Sequence, residues 1–121
     1  MSEKILIVDD HSDIRHLIRI ALGKSFEILE AENGASALAM VRSTHPKVVI
    51  LDVMMSGELD GFEVLEVIKG DAALKDVRVV MVTARGQSSD YDIGMARGAD
   101  GYFIKPFSPM QLAQAIRELM L

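Results

Sequence analysis

The chain contains no cysteine, which removes disulfides, zinc–thiolate centres and cysteine nucleophiles from the chemistry open to it. It also lacks an excess of base. Thirteen Lys and Arg stand against 18 Asp and Glu, a formal net charge of −5. A small domain of that sign is a poor nucleic-acid binder, because such affinity rests on neutralising phosphates. No apolar run reaches the length that spans a bilayer. The opening MSEKILIVDD has an Asp pair where the apolar stretch of a signal peptide would continue. We therefore expect a cytoplasmic domain with neither nucleic acid nor membrane as a direct partner. Linkers, repeats and low-complexity segments are absent as well.

What remains is 121 residues, 50% of them hydrophobic and 26% charged. Surface scaling gives about 6,400 Å² exposed when folded against roughly 19,000 Å² for the extended chain, enough burial for one core and too little chain for two. That apolar content also excludes a disordered acidic tail. Four short runs, Ile5–Val8, Val48–Leu51, Val77–Val82 and Tyr102–Ile104, are rich in Val and Ile and nearly continuous, with a weaker fifth at Phe26–Ala31. Continuous apolar runs mark strands of a parallel sheet covered on both faces.

Between the runs the pattern changes to helical period. Ile14, Leu17, Ile18, Ala21 and Leu22 make one stripe; Leu38, Ala39 and Val41 belong to a second helix; Val64, Leu65 and Ile68 make a third; Leu112, Ala113, Ile116, Leu119 and Met120 make the last. Residues 88–97 predict a further helix with a thin apolar face of Tyr91, Ile93 and Met95. Ser108-Pro109 with Gln111, and Asp60 with Glu63, have the spacing of capping boxes. Asn33-Gly34 marks the turn into the second helix, and Gly23, Gly70 and Gly98 can end the first, third and fourth. Five alternations of strand and helix with right-handed crossovers require an α/β fold with a parallel sheet between two helical layers. A ligand site then belongs at the carboxyl ends of the strands.

Polar residues collect there. The first strand runs into Asp9 and Asp10, the third delivers Asp52, the fourth Thr83, and the fifth ends at Lys105-Pro106. With neighbouring strands about 4.8 Å apart, adjacency would put three carboxylates, a hydroxyl and an ammonium in one crevice. Carboxylates so placed repel one another unless a cation sits among them. Oxygen ligands without cysteine or a nearby histidine select a hard ion, Mg²⁺ first and Mn²⁺ second. His11, His16 and His45 do not form a ligand set; His11, next to Asp10, could line the crevice but reads first as a surface residue. The ion, the lysine and the hydroxyl could each hold a phosphoryl oxygen, leaving one carboxylate to accept the group.

These residues, from ILIVDD through LDVMM, MVTA and GAD to KPF, identify a resemblance to the receiver domain of bacterial two-component response regulators, over essentially all of residues 1–121. The resemblance implies a single three-layer (βα)5 domain with five parallel strands in the order 2-1-3-4-5. It implies that Asp52 is the phosphoacceptor, taking a phosphoryl group from a histidine kinase or histidine phosphotransfer protein. Asp10 resembles the direct carboxylate ligand of Mg²⁺, Asp9 its partner acting through water, and Met54 the donor of a backbone carbonyl to the same ion. Lys105 resembles the lysine that pairs with Asp52 and then with the phosphoryl group. Thr83 and Ala84 match the hydroxyl and small residue beside it, and Tyr102 the aromatic that turns inward when Thr83 moves. The Lys105–Pro106 bond is expected to be cis. Met54 and Arg85 stand where such domains tune the lifetime of the acyl phosphate.

The chain departs from the usual pattern after the acceptor. Asp52 to Gly61 reads D-V-M-M-S-G-E-L-D-G. Ser56 stands in place of a proline, and Gly57 and Glu58 lie in a loop longer by one residue, where Glu58 is expected to add a carboxylate near the metal. A flavin protein would show a Ser, Thr and Gly-rich phosphate loop in place of DDHSD, and a metal-dependent phosphatase a second phosphate-handling acid or base. The remaining rival is a receiver-like protein-binding module that works without phosphorylation. The output is either a downstream protein partner or an effector domain outside this sequence. Gln111 and Ala115 occupy places where dimerising receivers often carry charge, which favours a monomer that docks on a partner over a phosphorylation-dependent homodimer.

Overall fold

Strand and helix alternate along the chain as β1 (Glu3–Val8), α1 (Ser12–Leu22), β2 (Phe26–Ala31), α2 (Gly34–Thr44), β3 (Val48–Leu51), α3 (Gly61–Gly70), β4 (Arg78–Thr83), α4 (Ser88–Ala96), β5 (Gly101–Ile104) and α5 (Pro109–Leu119). The structure, a computed structural model, describes residues 3–55, 57–84 and 88–121. All five strands pair in parallel in the order β2-β1-β3-β4-β5. This is the (βα)5 arrangement that the sequence implies. The fourth strand runs one residue later than the apolar run suggests, from Arg78 to Thr83, because Val77 is buried ahead of the ladder while Thr83 pairs with Ile104.

Successive side chains of a strand point to opposite faces, and the sheet divides the core accordingly. Leu6, Val8, Val49, Leu51, Val79 and Met81 pack with Ala37, Leu38 and Val41 of α2 and Phe62, Val64, Leu65 and Ile68 of α3. Ile5, Ile7, Val48, Ile50, Val80 and Val82 pack with Ile18 and Leu22 of α1 and Leu112, Ala113 and Ile116 of α5. The central strands β1, β3 and β4 are covered on both sides, hence their continuous Val and Ile. β2 is an edge strand with a mostly half-buried pattern, which explains its weaker apolar signal.

The helix signals act as their chemistry requires. Asp60 and Glu63 form a complete capping box at α3, and Ser108 accepts the Gln111 N–H at the start of α5. Asn33 accepts the Ser36 N–H at α2. After α4, Gly98 at φ 100° lets its own N–H reach the Met95 carbonyl and the Ala99 N–H reach that of Gly94, the left-handed stop that glycine adopts without strain. Gly70 is the last helical residue of α3 and is not left-handed. Asp100 then ties the lower end of the sheet, accepting the Val79 N–H and the Lys69 ammonium, each at 2.8 Å.

Two expectations about helix faces need correction. Tyr91, Ile93 and Met95 of α4 are exposed, and the helix packs through Gly94, where a Cβ would stand 3.3 Å from the Tyr102 ring. A glycine contact has no side chain to register as an apolar stripe. Leu17 of α1 is also exposed at the margin of its stripe, which is buried only at Ile18 and Leu22.

Candidate functional site

The site is built where β1, β3 and β5 end. The ladder continues for one residue past the strands: the Asp9 N–H donates to the Ala31 carbonyl at 3.1 Å and the Asp52 N–H to that of Val8 at 3.0 Å. Asp9 and Asp52 are thereby held side by side on rigid backbone. Lys105 follows Ile104 of β5, and its N–H donates to the Thr83 carbonyl at 2.8 Å. Its ammonium crosses the crevice to Asp9 Oδ2 at 2.8 Å and Asp52 Oδ2 at 3.3 Å. The lysine thus pairs with both acids, and more closely with Asp9 than with Asp52. The Met54 N–H donates to Asp52 Oδ1 at 3.3 Å, and the Met54 side chain points away into solvent.

Asp9 and Asp52 are 2% and 4% exposed, the burial that makes their charges matter. Burial, and then the Asp9 charge, push the Asp52 carboxyl above its ordinary value; Lys105 and the Met54 N–H pull against this without cancelling it. Burial draws the Lys105 ammonium down, but its bond to Asp9 and the charges of Asp52 and Asp9 outweigh that, leaving it above its ordinary value. Arg15 fixes the backbone beneath the site, donating from Nη1 to the Asp9 carbonyl at 2.6 Å and from Nε to Glu30 at 2.8 Å.

Three carboxylates, Asp9, Asp10 and Asp52, carry three negative charges, of which Lys105 offsets one and leaves two. Asp9, Asp10, His11 and Asp52 each offer a ligand atom, all within 4.8 Å of one another. Asp10 Oδ1 is buried without a hydrogen-bond partner. An orphaned carboxylate oxygen among other acids fits a divalent cation, which would satisfy it and the repulsion together. His11 lines the mouth of the crevice: its Nδ1 is hydrogen-bonded to Asp9 Oδ1 at 3.1 Å and lies 2.9 Å from Asp10 Oδ1. The ring is 64% exposed, so His11 is a surface residue as read, yet one nitrogen is turned into the site.

The sequence profile of the response regulator receiver domain matches residues 5–117. The chain belongs to that family. Receiver domains are phosphoacceptor signalling modules with limited phosphochemistry of their own, and the acidic cluster with its lysine is the corresponding site. This receiver is 40% identical over 119 residues to the "probable transcriptional regulator ycf27" of Porphyra purpurea, covering 98% of this chain and 47% of that protein. It is 36% identical over 121 residues to the phosphate regulon transcriptional regulatory protein PhoB of Klebsiella pneumoniae, covering 99% and 52%. The chain thus spans about half the length of the curated relatives it matches. Its fold is similar to that of a response regulator from Chloroflexus aurantiacus, with a TM-score of 0.92 at 28% identity over 99% of this chain and 98% of that one. It is similar also to the BeF3-activated DrrB receiver domain, with a TM-score of 0.90 at 27% identity over 99% and 98%.

The other residues singled out in the receiver sequence lie around this centre. Thr83 is fully buried at the end of β4, two residues beyond Met81, the partner of Leu51 on β3. Ala84 follows it and is exposed. Tyr102 is half-buried on the same sheet face as Met81, its ring edge-on to Tyr91 with centroids 5.6 Å apart. The Lys105–Pro106 bond is cis. Glu58 is exposed and stands with Asn33, Gly34 and Ala35 at the start of α2, outside the group of ligand atoms, so the expected extra carboxylate is not brought to the metal position. Gly57 turns the loop at φ 101°. Ser56 and Arg85 lie outside the described residues. Among the described residues, no helix is long and apolar enough to cross a membrane.

Sequence reasoning missed one participant. Gly61 appeared there only as the end of the stretch after the acceptor, yet a Cβ at Gly61 would fall 2.2 Å from the Asp52 carbonyl oxygen. The backbone of α3 therefore rests directly on that of Asp52.

Proposed function

We propose that Asp52 is the phosphoacceptor, and that Asp9, Asp10, Asp52 and the Met54 carbonyl hold the divalent ion, Mg²⁺ by default and Mn²⁺ as a second choice. The observation that carries this reading is the position of Asp52, a buried carboxylate just past the end of the central strand β3, bridged by Lys105 to a second acid. An Asp52 oxygen attacks phosphorus of a phosphohistidine on a kinase or histidine phosphotransfer protein; the P–O bond forms, the P–N bond breaks, and the imidazole leaves as the neutral base after taking up a proton. Lys105 moves from Asp52 toward the phosphoryl oxygens, as a point charge on a long stem can. The divalent ion, when bound, offsets charge on the transferring group. The ordinary carboxylate's −1 becomes about −1.5 to −2 on phosphorylation.

The added charge recruits the Thr83 hydroxyl beside Ala84, and Tyr102 follows against Gly94 of α4. Exposed Tyr91, Met95 and Ile104 on that side support a face through α4, β5 and α5 that presents the change to a partner in the cytoplasm. The relatives named as transcriptional regulators support an output of that kind, through a fused or separate effector, with nucleic acid contacted elsewhere than on this acidic domain. Incubation with acetyl phosphate and Mg²⁺ should add the mass of one phosphoryl group to the wild type and none to Asp52→Asn. Modification that persists in the variant would refute the assignment. Light scattering with beryllofluoride, which stands in for the phosphoryl group on the acceptor, then separates a monomeric docking receiver from a homodimer.

A further inference from the structure

The ladder between β1 and β2 ends at the pair Val8 and Ala31, and Asn33 then turns away to cap α2. The Asp9 carbonyl therefore stands one residue past the last pair, where a longer strand would have supplied the next donor. Arg15 supplies it from the start of α1: its Nη1 donates to that oxygen at 2.6 Å while its Nε donates to Glu30 Oε1 at 2.8 Å. The side chain is 16% exposed, and the other oxygen of Glu30 is held by Arg19, at 2.6 Å from Nη2 and 3.1 Å from Nε. A rigid planar fork thus joins α1, the edge strand β2 and the end of β1. The oxygen it holds belongs to the peptide that links Asp9 to Asp10. That unit is planar from one Cα to the next, so fixing its carbonyl fixes the point from which the Asp10 side chain departs.

We propose that Arg15 is a positioning residue for the metal site, aiming Asp9 and Asp10 by holding the peptide between them while Glu30 keeps its guanidinium in place. The inference rests on the reading that these acids hold the receiver's divalent ion. Arg15 has no lone pair to offer an ion, and its charge works against its role. A cation beside a metal site repels the metal, so through charge alone the loss of Arg15 would tighten Mg²⁺ binding. Through position, the same loss frees the peptide between Asp9 and Asp10 and weakens binding, as removing the partners behind metal ligands does by about tenfold or more. The two accounts differ in sign. Arg19 separates position from charge again, since it brings the same charge to the same glutamate but reaches the Ile28 carbonyl with its remaining contact.

Calorimetric titration of the whole chain with Mg²⁺ tests it, in wild type, Arg15→Met, Arg15→Lys, Arg19→Met and Asp10→Asn, with a urea midpoint for each so that only folded protein is compared. Arg15→Met keeps the apolar stem and removes the fork, and should weaken Mg²⁺ binding about tenfold. Arg15→Lys keeps the charge, but a compact ammonium cannot span both partners, and it should recover less than about threefold of that loss. Arg19→Met should leave the affinity within about twofold. With acetyl phosphate, the Mg²⁺ concentration that half-saturates phosphorylation should rise about tenfold in Arg15→Met, while the rate at saturating Mg²⁺ falls less than about threefold. An unchanged or tighter Mg²⁺ affinity in folded Arg15→Met would overturn the proposal, and so would full recovery in Arg15→Lys or an equal loss in Arg19→Met. Should Arg15→Met not fold, Arg15→Lys carries the test: wild-type affinity there overturns the proposal and a loss upholds it. Mg²⁺ binding indifferent to Asp10→Asn would overturn the metal reading and the proposal with it.

Discussion

Gly61→Ala offers a sharp test of how the fold holds the acceptor. A Cβ at this position would stand 2.2 Å from the Asp52 carbonyl oxygen, 2.7 Å from the Val53 Cα and 2.9 Å from the Asp52 carbonyl carbon. All three are backbone atoms, so no rotamer change relieves them, and an ordinary contact needs a displacement of about 1 Å or more. Either α3 lifts, carrying Phe62 and Leu65 out of the core, or the end of β3 shifts and takes Asp52 with it. Overpacking costs about 1–3 kcal/mol. Weakening the 2.8 Å bond from the Gly61 N–H to the Val53 carbonyl adds about 1 kcal/mol. A loss of about 2–4 kcal/mol should lower the urea midpoint by about 1–2 M. Gly70→Ala is the control, because Gly70 is exposed at the end of the same helix, has nothing within 4 Å of a Cβ and is not left-handed. It should be neutral or stabilising by up to about 1 kcal/mol. In the folded fraction of Gly61→Ala, phosphorylation of Asp52 by acetyl phosphate should slow. A Gly61→Ala midpoint equal to that of wild type would refute the claim that this backbone contact positions the acceptor.

Because Asp52 is raised in the fold, the folded chain keeps its proton to higher pH than the unfolded chain does; without metal, its contribution to stability therefore falls as pH rises from the ordinary aspartate value through the raised one. Asp52→Asn has no such proton, so its stability relative to wild type, from urea unfolding at several pH values, should increase across that window and then level off. A difference that does not vary with pH would refute the charge crowding. Glu58→Gln should leave Mg²⁺ affinity within about twofold, since an exposed charge outside the ligand group acts only through screened solvent. A larger loss by calorimetry would return Glu58 to the site.

Much of this molecule was legible without coordinates. The continuous Val and Ile runs of β1, β3 and β4 are a direct imprint of burial on two faces, and Asp9, Asp10, Asp52 and Lys105 stand at strand ends that any parallel sheet with right-handed crossovers brings to one edge. The misread features share a cause. α4 packs by the absence of a side chain at Gly94, and the exposed Tyr91, Ile93 and Met95 imitate a core stripe. Glu58 is near Asp52 in sequence, but the turn at Gly57 and the capped start of α3 carry the loop toward Asn33 and Gly34.

The alternation of elements, the layered class and the identity of the acids and the lysine could be read along the chain, because periodicity and residue chemistry are local properties. The folded arrangement was needed to show that Lys105 is shared between Asp9 and Asp52 and that His11 turns its Nδ1 into the acidic cluster, 2.9 Å from an Asp10 oxygen. Those are relations of a few ångströms between chain segments as far apart as Asp9 and Lys105. Spacing along the chain carries no record of such distances, which follow from the strand register and from close backbone contacts such as that of Gly61 with Asp52.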